Sequence, residues 1–342
     1  MRRRELLAGS LGSAVAALAG CPDSLAGDGG TPEATYENPV FEPILADPTV
    51  VRTPDGTFYA YGTEDNWRDG EGFRYVPLVR SADLVDWEYV GEAFETKPDW
   101  KDRGFLWAPA VVRLNGTYHM YYSYSEWGDP NPGIGLATSD DPAGPFEDRG
   151  KLFLSDEIGV PNSIDPMVCF EDGTPYLFWG SFNGIYAVEL SADGREVVGE
   201  KTRVAGDDYE GTYIHERDGQ YYFFGSVGSC CDGVFSTYHV RVGRSDSLLG
   251  PYEDPDGTDL RETLGPVVVE EGNGFVGPGH TTLVTDDAGR EWLLYHAYEE
   301  DRGFIGETPR RPLLLDRLRW EDGWPRLPDR TPSQEAHVPT VE

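Results

Sequence analysis

The chain has 342 residues, 61 of them acidic and 28 basic, for a formal net charge of −33 at neutral pH. That much negative charge excludes a phosphate-backbone partner, so no nucleic acid is expected, and an aromatic content of 13% excludes a chain that is acidic because it is disordered. Lysine occurs only as Lys97, Lys101, Lys151 and Lys201. Arginine favoured over lysine within a large acidic excess points to a halophilic protein, working where molar salt shrinks the Debye length to about 3 Å.

The N-terminus reads Met1-Arg2-Arg3-Arg4-Glu5, then a short apolar, small-residue run through Ala19. A basic start followed by so short an apolar segment predicts a signal peptide over 1–20, and the arginine pair points to twin-arginine export. Leu18-Ala19-Gly20-Cys21 is similar to a lipobox, which would make Cys21 a lipid anchor and the protein an extracellular, membrane-anchored lipoprotein. Residues 21–35, rich in Gly, Pro, Asp and Ser, read as a flexible tether. Residues 36–342 are expected to form one catalytic domain, active as a monomer.

Within that domain five units repeat. Each opens on a strand start and reaches a glycine turn eight or nine residues later, followed by an aromatic-rich strand. The openings are Asp47-Pro48, Ala108-Pro109, Asp165-Pro166, Glu210-Gly211 and His280-Thr281, and the turn glycines are Gly56, Gly116, Gly173, Gly219 and Gly289. The glycines are spaced by 60, 57, 46 and 70 residues, a period typical of propellers, solenoids or arrays. Asn-Gly and Asp-Gly turns before runs such as Tyr221-Tyr222-Phe223-Phe224 mark β-hairpins, because both central residues of such a turn need φ > 0. The expected fold is all-β, a five-bladed β-propeller of four-stranded blades.

Equivalent positions of propeller blades lie around one axis, so Asp47, Asp165, Glu210 and His280 should meet there. Three carboxylates with no nucleophilic Ser or Cys motif, no phosphate loop and no dinucleotide fingerprint point to glycoside hydrolysis. One carboxylic acid protonates the leaving oxygen, a second carboxylate activates water or attacks, and a third beside the acid raises its pKa. A polysaccharide or oligosaccharide substrate also calls for aromatic faces. Trp107, which precedes an inner strand, is the first candidate, with Trp67, Trp127, Tyr209 and Phe304 behind it. The four cysteines are too few for a disulfide framework. Cys169 reads as a small buried apolar residue, and the adjacent Cys230-Cys231 as free buried thiols, with a vicinal disulfide the alternative.

Several segments resemble glycoside hydrolase family 43, in particular its arabinanase branch. The most specific lies between Gly225 and Tyr252, with Cys230-Cys231-Asp232-Gly233, Ser236-Thr237-Tyr238 and Val242-Gly243-Arg244-Ser245. Asn162-Ser163-Ile164-Asp165-Pro166, Trp107-Ala108-Pro109, Gly277-Pro278-Gly279-His280 and Trp320-Glu321-Asp322-Gly323-Trp324-Pro325 also fit. The resemblance implies a five-bladed propeller acting with inversion on arabinan. It assigns Asp47 as the general base, Asp165 as the carboxylate that tunes the acid, and Glu210 as the general acid. It also gives His280 a calcium or sodium ion to hold at the propeller centre; Trp107 and Asn162 are the expected substrate-binding residues. The chain departs from the arabinanase pattern at Ala46, where His is usual, and at Ala110, where Asp is usual. An exo-acting α-L-arabinofuranosidase, a β-xylosidase and a non-catalytic glycan-binding lipoprotein are the alternative readings.

Overall fold

The computed structural model describes residues 34–342, which form one compact unit. The expected signal peptide, the Cys21 anchor and the tether up to residue 33 lie outside the described residues. Thr35, at the expected end of the tether, already opens a strand, Thr35–Glu37, paired antiparallel with Glu335–His337.

The five repeats are five antiparallel sheets, each a meander whose strands neighbour one another in chain order. Blade I consists of Thr49–Arg52, Phe58–Tyr61, Pro77–Ser81 and Trp87–Glu92. Blades II, III and IV open with Phe105–Leu114, Met167–Glu171 and Glu210–Arg217. Their second strands are Thr117–Ser125, Thr174–Trp179 and Gln220–Val227, and two more strands complete each. Blade V has three strands, Phe275–Thr285, Glu291–Glu299 and Leu313–Arg317. Its fourth edge is covered by the chain's start, where Phe41 bridges Leu313 and Leu45 N–H donates to the Arg311 carbonyl. Four blades are thus four-stranded as expected. The fifth is completed by a segment that enters before blade I, which ties the two ends of the ring together and leaves that edge covered.

The turns follow from their residues. Asn115-Gly116, Asp172-Gly173 and Asp218-Gly219 all have φ > 0 at both positions, and each joins its strands through a two-residue loop. Small polar residues and glycine tolerate that conformation at least cost.

Side chains alternate between the two faces of a strand. Tyr121 therefore packs toward blade III, with Leu177, Val188 and Trp179, while Tyr122 packs toward blade I, with Leu78 and Phe94. Every blade is buried on both faces in this way. Five apolar clusters result, one at each junction; the last joins Phe58 and Ala60 of blade I to Trp292 and Leu294 of blade V. The cores lie between blades, which leaves the axis free for polar residues.

Candidate active site

The five blades start with one backbone device. Asp47, Ala108, Asp165, Gly211 and His280 all have φ between 44° and 58°, a left-handed turn just before the first strand in blades I and III and within it in blades II, IV and V. For the fourth blade this corrects the sequence alignment. The turn residue is Gly211, and Glu210 precedes it by one, in the backbone position that Trp107 holds in blade II.

Four of these turns are fastened in a common way. The N–H of the turn residue donates to a side chain at the end of the preceding blade's second strand. Ala108 donates to Thr63 Oγ1 at 2.9 Å, Asp165 to Ser123 Oγ at 2.9 Å, His280 to Ser226 Oγ at 2.8 Å, and Asp47 to His296 Nδ1 at 3.1 Å. The acceptors Thr63, Ser123, Ser226 and His296 each stand seven residues beyond a turn glycine, Gly56, Gly116, Gly219 and Gly289. Blade III has Gly180 at that offset and so no side chain to offer. There Gly211 N–H donates instead to Asp165 Oδ2 at 3.2 Å, and Ser181, one residue further on, donates to Glu210 Oε2 at 2.7 Å. The fastenings thus bring Asp47, Asp165, Glu210 and His280 together, as the repeat predicted.

The carboxylates sit in different fields. Arg311 Nη1 lies 3.2 and 3.3 Å from the two oxygens of Asp47, Thr63 Oγ1 donates to Oδ2 at 2.5 Å, and His280 Nδ1 is 3.4 Å from Oδ1. Burial alone would raise the Asp47 carboxyl, but Arg311, with His280, His296 and Thr63, outweighs it and holds the group well below the usual carboxylate range. Arg311 is the charge that counts, because burial lowers both imidazoles: His280 below its ordinary value and His296 to about 3. His296 Nδ1 is also 3.3 Å from Asp47 Oδ1, but as acceptor of the Asp47 N–H it carries no proton there, so this contact is not an ion pair.

Asp165 and Glu210 are both buried and face the other way electrostatically. Burial, then the neighbouring Glu210 and Asp47, push Asp165 well above the usual range. Burial lifts Glu210 to about 7, against the Ser181 and Tyr238 hydroxyls that favour its ionised form. Two adjacent carboxyls that both resist ionisation retain a proton at neutral pH. The site therefore combines a carboxylate held ionised by Arg311 with a buried pair that resists ionisation, the division of labour that acid–base chemistry requires.

Trp107 is half-buried at the rim, its ring parallel to Phe105 at 6.3 Å and tilted against Trp127 at 5.6 Å. Trp127 is 76% exposed, and Phe73, Phe182, Phe235 and Phe304 are other exposed aromatic rings. Trp67 and Tyr209, two of the expected platform candidates, are core residues, Trp67 packed on Phe41 and Tyr209 against Phe223. Asn162 gives its amide Nδ2 to the Ser181 carbonyl at 3.1 Å, which ties it to the loop beside Glu210. A cleft of about 590 Å³ opens beside blade IV, lined by Trp127, Phe182, Asp208, Val227 and the Cys230–Cys231 loop.

Two cysteine expectations change. Cys230 and Cys231 form a disulfide rather than free thiols. Their loop is pinned by Tyr298, whose hydroxyl donates to the Cys230 carbonyl, and by Ser236, which donates to the Ser229 carbonyl. Cys169 is free but only half-buried.

For a cation at the axis, the available donor is a single imidazole. No cluster of three or more His, Cys, Asp or Glu suited to a metal exists among the described residues. Calcium takes six to eight oxygen ligands, so His280 could hold only an ion that keeps most of its water. The fold has room for one. An axial cavity of about 290 Å³ is lined by His280 and by the first strands of all five blades, and the buried hydroxyls of Thr212 and Thr281 on its wall lack protein partners.

Sequence reasoning missed Arg311, Thr63, Ser181, Tyr238 and His296. Arg311 stands out only as half of an arginine pair in a chain poor in basic residues, whereas the seven-residue offset from the turn glycines would have found Thr63 and His296.

A propeller whose axis gathers carboxyl groups split between an ionised and a protonated state is the framework of a glycoside hydrolase. Residues 36–325 match the model of glycosyl hydrolases family 43, and the chain belongs to that family. It is 32% identical to an extracellular endo-α-(1→5)-L-arabinanase of Bacillus subtilis, over 82% of this chain and 87% of that one. It is 30% identical to an extracellular exo-α-(1→5)-L-arabinofuranosidase of Cellvibrio japonicus, over 83% and 86%. Among solved structures it is similar to an α-L-arabinanase of Cellvibrio cellulosa complexed with arabinohexaose, with a TM-score of 0.74 and 29% identity over 84% of this chain and 96% of that one.

Proposed function

We propose that this glycoside hydrolase cleaves α-1,5-linked L-arabinan outside the cell, with inversion, as an endo-acting enzyme. The observation that carries the reading is the contrast in surroundings: Asp47 lies against the Arg311 guanidinium at 3.2 Å, whereas Glu210 is buried with the Ser181 hydroxyl on Oε2 at 2.7 Å. Asp47, ionised against Arg311, takes a proton from the water that attacks the anomeric carbon. Glu210 gives its proton to the departing glycosidic oxygen as that bond breaks. Asp165, the modulator beside Glu210, itself resists ionisation, so the coupled pair retains a proton that Glu210 can deliver. At the end of a turnover Asp47 is protonated and Glu210 ionised, and exchange with solvent resets both.

Arabinan is supported by the relatives, two of which are named as extracellular enzymes of α-(1→5)-linked arabinose chains. Trp107, with Trp127 beside it, is the proposed platform for the sugar, since flat aromatic faces suit the apolar side of a sugar ring. A calcium or sodium ion, where bound, would be held by His280 with water completing its shell, and would supply positive charge beneath the three carboxyls. The Cellvibrio japonicus relative favours a second reading, release of single arabinose units from a chain end.

Product analysis separates these. Linear 1,5-arabinan, arabinoxylan and xylo-oligosaccharides are incubated with the protein in molar salt, the condition to which the acidic composition points. We expect arabino-oligosaccharides early in the reaction. Arabinose alone would establish the exo reading, and activity confined to the xylose substrates would contradict the proposal.

A further inference from the structure

The fastening between blades III and IV differs from the other four, and the difference falls on Glu210. In the other junctions a side chain seven residues beyond the turn glycine accepts a backbone N–H. At this junction that place is Gly180, and the next residue, Ser181, is buried with its hydroxyl 2.7 Å from Glu210 Oε2. The backbone of Ser181 is held from three sides. Its carbonyl accepts from Asn162 Nδ2 and from Asn183 Nδ2, both at 3.1 Å, and the next amide, of Phe182, donates to the Tyr209 carbonyl at 3.0 Å, beside Glu210. So many bonds fix one hydroxyl on one carboxyl oxygen.

We propose that Ser181 is a positioning residue for the acid, orienting Glu210 through Oε2 so that Oε1 carries the transferable proton, and stabilising the carboxylate left when that proton has gone. The inference rests on the reading of Glu210 as the acid. It gives Asn162 a part in the same chain, as the residue that steadies Ser181. The other groups facing Glu210 are the Tyr238 hydroxyl, a second donor; Asp47, which raises its pKa; Arg311, which lowers it; and Asp165, whose own carboxyl Glu210 pushes up.

Catalysis needs Glu210 protonated, so activity falls as pH rises through its pKa. Ser181 favours the ionised form, and its removal moves that limb upward. Ser181→Ala should shift the basic limb of kcat/KM up by about one pH unit, the equivalent of one hydrogen bond to a charged group. It should slow arabinan cleavage about tenfold while changing turnover of an activated aryl arabinofuranoside by less than about twofold, because good leaving groups need little protonation. Ser181→Thr, which keeps the hydroxyl, should leave the limb in place. Should Ser181→Ala fail to fold, Ser181→Cys, a weaker donor, should show the same upward shift at smaller size. A limb that stays put in a folded Ala or Cys variant, or equal loss on both substrates, would overturn the inference. Glu210→Gln is measured alongside. If that variant loses both substrates equally, the acid assignment itself fails. If it spares the activated substrate and Ser181→Ala does not move the limb, only the role of Ser181 fails.

Discussion

Glu210→Gln should lower kcat on arabinan by ~10²–10⁴-fold at neutral pH, the usual contribution of a general acid, and should lower it far less on an aryl arabinofuranoside with a good leaving group. Glutamine fills the same space and still accepts the Ser181 hydroxyl on its carbonyl oxygen, so the fold around it is kept. What it lacks is the proton that burial holds on Glu210 up to a pH of about 7. The basic limb of the wild-type profile should therefore lie near neutrality and vanish in the variant. Kinetics on the two substrate classes, across pH, check this. An equal loss on both would remove Glu210 from the acid's place.

Asp47→Asn should abolish activity on both classes, again by ~10²–10⁴-fold, since water must be activated whatever the leaving group. It carries a second consequence that Glu210→Gln does not. Asp47 is the carboxylate against which the buried Arg311 is paired, at 3.2 Å, and Asp65 is further away at 3.9 Å. Removing one partner of a buried ion pair costs about 3–5 kcal/mol. The substituted side chain keeps an amide oxygen as an acceptor and Asp65 remains near, so the lower end is expected. Thermal unfolding beside the kinetics should show a lowered Tm for Asp47→Asn and little change for Glu210→Gln. Retained turnover of the aryl substrate in a folded Asp47→Asn protein would contradict its role as base.

How much of this was legible depended on how local the signal was. The hairpins were legible because Asn115-Gly116, Asp172-Gly173 and Asp218-Gly219 declare their own φ angles. The gathering of Asp47, Asp165 and His280 was legible because each begins a unit. Glu210 was found but set one place off. Its unit has Gly211 as the turn residue, and glycine adopts the left-handed conformation without announcing it in a side chain. That one-place offset puts Glu210 where Ser181 can reach it. Arg311 was not legible, since it comes from the last blade's edge and meets Asp47 across 264 residues of chain. The completion of blade V by Phe41 was hidden for a similar reason, because a single bridge leaves no alternating pattern. Trp67 and Tyr209 show the reverse error: an aromatic residue near a loop reads the same whether it faces sugar or core.

The proposed mechanism is a single displacement, with a water activated by Asp47 attacking from the side opposite the leaving oxygen. Proton NMR of the first minutes of hydrolysis of an α-L-arabinofuranosyl oligosaccharide tests it most directly. The newly formed reducing end should appear first as the β-anomer and then equilibrate. Initial formation of the α-anomer would mean two displacements through a covalent intermediate, and would contradict the roles given to Asp47 and Glu210.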